Sequence, residues 1–279
     1  MTVLQVRPPA VAGRFYPSDP FVLAADVDAY LAQAVRRLPS PGGGRLAAVV
    51  SPHAGYVYSG PVAGHAYAAV LRDASRRSTS LQRIWLLGPA HYVPLRGGAL
   101  SGADCFSTPL GEVTVDHVAE QMAEQCPWVV VDDAAHAPEH SLEVQLPFLQ
   151  RTLPGVPIVP LLIGHGDADR VGRFLAEVLV DPRSLVVVST DLSHYLDLAT
   201  ARERDAVTAH HVAACEWRGV GDRDACGAGA LRSLLAAGGR VGATVTELDL
   251  RTSGDTAGPP DRVVGYGAFA VTVDDGAAR

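Results

Sequence analysis

The sequence contains no lysine, and all 23 basic residues are arginine. This removes the amine that forms a Schiff base with pyridoxal phosphate and the lysine of a P-loop, and with them several enzyme classes. Cysteine is scarce. Cys105, Cys126, Cys215 and Cys226 form no Cys-x-x-Cys pair, and a chain of 279 residues needs no disulfide staples, so reduced thiols and a cytoplasmic location are expected. No apolar run reaches membrane-spanning length, and the first residues show no basic stretch followed by an apolar one. A soluble protein without a membrane partner is expected. Positive charge is not in excess either: the net charge is −7, which gives no electrostatic reason to expect nucleic acid.

Hydrophobic residues make up 48% and charged residues 19%, enough apolar material for a well-buried core. No linker divides the chain, so residues 1–279 are read as a single domain. Three apolar runs with turn formers behind them read as buried strands: Ala47–Val50 followed by Ser51-Pro52-His53, Ile84–Leu87 followed by Gly88-Pro89-Ala90-His91, and Leu185–Val188 followed by Ser189-Thr190-Asp191-Leu192-Ser193-His194. Pro52 cannot donate into a ladder, so the first strand must stop there and present His53 at its carboxyl end. Ligands of open α/β sheets sit outside the carboxyl ends of the strands. Three strand ends therefore point imidazole and carboxylate toward one crevice.

The prolines of residues 7–20 suit an extended arm, and Ser18 or Asp19 is placed to cap a helix from about Pro20 to Arg37. Ser40–Gly44 reads as a loop. An alanine-rich helix should end near Arg72. Residues 97–131 read as short strands and one helix around His117–Gln125, a β-rich excursion from the main sheet. Glu139–Leu149 suits a short helix that Pro147 should kink or tighten. A strand at Pro157–Gly164 and a helix at about Asp167–Leu179 follow, then helices at about Leu198–Trp217 and Ala228–Ala237. Strands at Val245–Leu250 and Val263–Val271 close the chain, with a loop at Gly254–Asp261. Strands interleaved with helices predict a three-layer α/β/α sandwich around a mostly parallel sheet.

Neutral imidazole and thiolate bind zinc, iron or copper, so His53, His91 and Cys226 have the residue types of a mononuclear site. Each also has a plain structural reading, as turn histidines and a buried apolar thiol. Asp191 with His194 reads as an acid–base pair, or as a cap beside a packed histidine. His140, beside Glu139 and Glu143 at a helix N-terminus, reads as a group next to the site or as part of a capping arrangement. His65 reads as a packing residue, His117, His165, His210 and His211 as solvated, and His136 as a residue of a loop that folds over the site. Ser51, Ser59 and Ser193 lie near these histidines, but there is no Gly-x-Ser-x-Gly elbow. No strand runs into Gly-x-Gly-x-x-Gly either.

An ordered set of motifs resembles the Memo family, whose bacterial members are often called AmmeMemoRadiSam system protein B. They are Ala12-Gly13-Arg14-Phe15-Tyr16-Pro17, Pro52-His53-Ala54-Gly55-Tyr56, Gly88-Pro89-Ala90-His91, Glu139–Pro147, Ser189–His194, Cys226-Gly227, Ser253-Gly254-Asp255 and Val264-Gly265-Tyr266. That family is similar in fold to class III extradiol dioxygenases, which hold non-haem iron with two histidines and a carboxylate. The resemblance implies that His53, His91 and Cys226 take the metal positions, with Cys226 in place of the carboxylate. It implies that His194 matches the histidine acting on substrate or oxygen, with Asp191 and His140 close by. Tyr92 stands where a second histidine often follows the one at His91, and a proline common after Cys226-Gly227 is absent.

The implied cofactor is one transition-metal ion, iron(II) first, with copper or zinc as alternatives. The expected partners are a small-molecule substrate or a peptide, and the other AmmeMemoRadiSam components. Two functions follow: a metal-dependent redox enzyme acting with dioxygen or on a small aromatic or carbonyl compound, or a metal- or peptide-binding module without turnover. A zinc hydrolase is a third.

Overall fold

A computed structural model describes residues 4–39 and 43–274. In chain order the elements are β1 (Val6–Arg7), α1 (Pro20–Val35), β2 (Arg45–Ser51), α2 (Tyr56–Ala74), β3 (Arg83–Pro89), β4 (Gly98–Leu100), β5 (Cys105–Thr108), β6 (Gly111–Thr114), α3 (His117–Glu124), β7 (Val129–Val131) and α4 (Asp133–His136). There follow α5 (Leu146–Thr152), β8 (Ile158–Ile163), α6 (Ala168–Val180), β9 (Ser184–Ser189), β10 (His194–Leu196), α7 (Leu198–Ala213), α8 (Ala228–Val241), β11 (Thr244–Thr252) and β12 (Val263–Val273).

One sheet runs in the order β10-β12-β2-β9-β3-β8-β4-β7, with β11 also paired to β12. Its centre, β2-β9-β3-β8, is parallel, and antiparallel pairs flank it on both sides. Side chains alternate along the central strands. Ile84, Leu86, Leu185, Val187 and Leu162 join one core layer with α1, α2 and α5, and Trp85, Leu87, Val186, Val188 and Leu161 join a second with α6 and α8. Both faces of the centre are thereby buried, as continuous apolar strands require, and the α/β sandwich around a mostly parallel sheet is the observed architecture. No helix among the described residues is long and apolar enough to cross a membrane.

The structure refines several expectations. In the 97–131 region only β5 and β6 leave the main sheet, as a hairpin whose β5 pairs with β1, while β4 and β7 extend its edge. Glu139–Leu149 is not one helix: Glu143–Gln145 make a 3₁₀ turn, and α5 then starts with Pro147 in its first turn, the position that tolerates a missing N–H. Asp19 is the cap of α1, accepting from the N–H groups of Phe21 and Val22. Ser253–Asp255, within the expected loop at Gly254–Asp261, make a 3₁₀ turn closed by a Thr252/Asp255 capping box. Residues 40–42 of the loop expected at Ser40–Gly44 lie outside the described residues.

The proline-rich arm wraps back over residues 136–143. Arg7 donates to the carbonyls of His136 and Glu139 and pairs with the Glu143 carboxylate at 2.6 Å. Glu143, fully buried, also accepts from the N–H groups of Ala10 and Val11 and from the Tyr16 hydroxyl. A buried carboxylate is tolerable only with this many donors, so Glu143 locks the arm to the segment that carries His140.

Candidate metal centre

The parallel register sets Ser51 opposite Ser189, so β2 and β9 end together, with β3 next to β9. His53 follows β2, His91 follows β3, and Asp191 follows β9, so the three emerge side by side. The fourth member arrives from a distance. Segment 139–145 crosses the end of β3, where Ser141 Oγ donates to the Pro89 carbonyl at 2.8 Å. A Cβ at Gly88 would meet Ser141 Oγ at 2.8 Å and Leu142 Cδ2 at 2.9 Å, so only glycine permits this approach.

His53, His91 and His140 converge here, with one ligand nitrogen from each lying within 4.8 Å of the others. The His91 and His140 rings stack with centroids 4.8 Å apart, and His53 stands edge-on to both. Phe15 of the arm packs edge-on to His140 at 4.7 Å, and exposed Tyr92 lies 5.9 Å from the same ring.

Hydrogen bonding fixes two tautomers. Ser189 Oγ donates to the Ser141 carbonyl at 2.6 Å and accepts from Gln145 Nε2 at 2.8 Å. Its proton being used, it accepts from His53 Nδ1 at 2.9 Å, which leaves His53 Nε2 as the unprotonated nitrogen, facing the Cys226 sulfur. Gln145 is held in turn by the Tyr67 hydroxyl and the Pro52 carbonyl. His91 Nδ1 lies 2.9 Å from Glu139 Oε1. Burial raises the Glu139 carboxyl, but the His91 hydrogen bond and charge and the N–H groups of His91 and Ser141 outweigh it and hold it at about 2. The ionised carboxylate must accept, so His91 Nδ1 carries the proton and its Nε2 is free. Carboxylate–imidazole pairs of this kind orient metal-ligating histidines.

Burial lowers His53 well below the ordinary imidazole value and lowers His140 to about 4, so both are neutral ligands at pH 7. His140 Nδ1 is buried and makes no hydrogen bond, with Glu139 Oε1 3.4 Å away. Three converging imidazoles, two of them with Nδ1 engaged by acceptors and Nε2 left to bind, fit a transition-metal ion.

Cys226 stands on the other side of His53, with Sγ 3.3 Å from Nε2. The Asp191 N–H points at the sulfur at 3.3 Å, and Thr190 Oγ1 lies 3.7 Å away. Gly227 makes this possible, since a Cβ there would meet Thr190 Cβ at 2.8 Å. Burial and the Asp191 charge push the thiol up to about 12. A bound cation reverses this, because a coordinating thiol loses its proton outright.

Asp191 accepts the His53 N–H at 2.7 Å, and burial raises its carboxyl. It does not hold the His194 ring: His194 Nδ1 donates to the Leu192 carbonyl at 2.8 Å, which leaves Nε2 free. His136 bonds the Ala99 carbonyl and is not among the converging imidazoles. His65 is buried in α2 facing Asp249, and His117 pairs with Glu120 and Asp104. The Ser51 and Ser59 hydroxyls donate to the Pro52 and Ala54 carbonyls. Ser189, Gln145 and Glu139 complete the site; they lie within the Ser189–His194 and Glu139–Pro147 motifs, although the sequence alone assigns none of them a role there.

An uncharacterized protein from Escherichia coli K12 shares the fold with a TM-score of 0.50 at 14% identity, over 80% of this chain and 99% of that one. A MEMO1 family protein of Methanopyrus kandleri is 35% identical over 94% of this chain and 98% of its own length. One from Methanocaldococcus jannaschii is 33% identical over 96% and 99%, and one from Methanococcus maripaludis 32% identical over 95% and 99%. The Memo-like protein family model matches residues 7–270, and the chain belongs to that family.

Proposed function

We propose that this protein is a metal-dependent redox enzyme whose single ion is held by His53, His91 and Cys226, with His140 beside it. The observation that carries this reading is that His53 and His91 each engage Nδ1 with an acceptor and turn Nε2 toward the site, with the Cys226 sulfur 3.3 Å from the His53 Nε2. Iron(II) in such a site would supply one-electron chemistry toward dioxygen and a small aromatic or carbonyl compound; copper fits the thiolate equally and zinc would supply none of it.

The chain's own residues do the rest. The Asp191 N–H stabilises charge on the sulfur, and Glu139 fixes His91. His194, held at Nδ1 by the Leu192 carbonyl, takes or gives a proton at Nε2. Phe15 shields one side of His140.

The test is metal analysis of protein purified without oxygen, then spectroscopy of the thiolate–metal bond, with oxygen uptake on addition of catechols and small aromatic carbonyl compounds. One ion per chain, a thiolate charge-transfer band and substrate-dependent uptake support the enzyme. A tightly held ion without uptake supports a binding module on the same site.

A further inference from the structure

A second cavity, of about 300 Å³, lies beside β8 between the starts of α6 and α8. It belongs to none of the metal-site residues. Its lining includes Arg96, His165, Arg170 and the Trp128 indole, with Ile163 and Val171 as apolar floor. Like the metal centre, it opens near the carboxyl ends of the parallel strands, where β8 finishes at Ile163.

Two guanidiniums face one carboxylate in the lining. Among the described residues, the side chains of Arg96, His165 and Arg170 make no hydrogen bond or ion pair. The one carboxylate in the lining, Asp167, has its Oδ1 committed to the N–H groups of Asp169 and Arg170 at the start of α6. Asp222, whose charge reaches His165, is paired with Arg232 at 2.6 Å. Arg96, His165 and Arg170 are exposed, but they share the lining of one cavity with half-buried Trp128 and find no hydrogen-bond or ion-pair partner among the described residues.

The glycines lining the cavity keep it open to small groups. Gly164 and Gly229 bring two backbones together, since a Cβ at Gly229 would meet the Gly164 carbonyl at 3.0 Å. The Gly166 N–H has no acceptor among the described residues and adds a backbone donor.

The geometry points to a binding site for a small organic oxyanion, with its phosphate or carboxylate head between Arg96, Arg170 and His165 and a flat apolar body against Trp128. Guanidinium forks suit both heads, and an indole face suits an aromatic body. The volume admits a single ring with its head group and sits at the small end of ligand pockets.

Calorimetric titration at constant ionic strength with phenyl phosphate, benzoate and inorganic phosphate tests this. Saturable binding of phenyl phosphate or benzoate is expected, at least about tenfold tighter than inorganic phosphate. The doubly substituted Arg96→Gln/Arg170→Gln protein should bind about tenfold or more weakly, the scale of a lost charge-assisted contact. Both arginines are exposed, so the fold is preserved. Phenyl phosphate binding alone, or with benzoate, identifies the head group. Loss of the metal site in His91→Ala should leave the affinity unchanged, which separates this site from the metal centre. No saturation by either organic probe, equal affinity for inorganic phosphate, or undiminished binding by the arginine variant would overturn the assignment.

Discussion

Glu139 grips His91 with both oxygens, one accepting its Nδ1 proton at 2.9 Å and the other its backbone N–H at 2.5 Å. The same Oε1 also accepts the N–H groups of His140 and Ser141 at 2.8 Å. One carboxylate thus fixes the ring of one imidazole and the backbone of its neighbour.

Replacing Glu139 by Gln should therefore loosen the metal before it disturbs the fold. The amide places an NH₂ among donors and leaves the His91 tautomer unspecified. Loss of such an outer partner costs about 10–100-fold in metal affinity. Competition titration against a chelator measures it, with circular dichroism checking the fold. Wild-type affinity would mean that Glu139 organises only the loop.

A second prediction separates the sulfur from the third imidazole. Cys226→Ser and His53→Ala should each lose bound metal, whereas His117→Ala and His210→Ala should not. Cys226→Asp should keep the fold and move preference from copper(I) toward iron(II), because a hard oxygen replaces a soft thiolate. Unchanged preference, together with metal loss in His140→Ala, would make the three imidazoles the ligand set.

What the sequence disclosed and what it hid have one physical explanation. Strands such as Val186–Val188 are buried on both faces, so they read as short apolar runs, and the Pro, Gly and Ser behind them marked where His53, His91 and Asp191 emerge. Local pattern carried that part. The approach of His140 depends on Gly88 admitting Ser141, and the His53 tautomer depends on Ser189 and Gln145, residues 136 and 92 positions away in contacts that no periodicity encodes. The split of Glu139–Leu149 into a 3₁₀ turn and a helix reflects Pro147, which the helix accepts only at its start. Strands of three residues, β4 and β7, are too short to show any period.

Acid should destabilise the metal-free protein in part through His136. Its Nε2 meets the Ala99 carbonyl at 2.9 Å, and burial lowers it to about 4. Above the ordinary value near 6.5 the ring is neutral both folded and unfolded, so it favours neither state. As the pH falls from about 6.5 to about 4, the unfolded chain binds a proton that the folded chain refuses, and stability drops by up to about 3 kcal/mol. His53 and His140 are lowered too and add to the slope. Urea unfolding across this window should show a pH dependence shallower by up to one proton in His136→Gln, whose amide can still donate to Ala99. Identical slopes would mean that His136 titrates normally.

The last prediction concerns His194. Its Nδ1 is held by the Leu192 carbonyl, its Nε2 is free, and its charge reaches His53. Asp191, whose carboxylate accepts the N–H of His53, supports the metal-side backbone and not the His194 ring. If turnover depends on a proton moved at Nε2, His194→Ala keeps its metal while the rate falls by about 10²–10⁴, the usual share of a positioned acid or base. Asp191→Asn should behave differently. It weakens an acceptor of the His53 backbone, so its loss should fall on metal retention at least as much as on rate. Metal analysis of both variants, followed by oxygen uptake with whichever compound the wild type consumes, separates the two roles. Full activity in metal-loaded His194→Ala would remove the proton-transfer role, and loss of metal from that variant would make His194 a ligand.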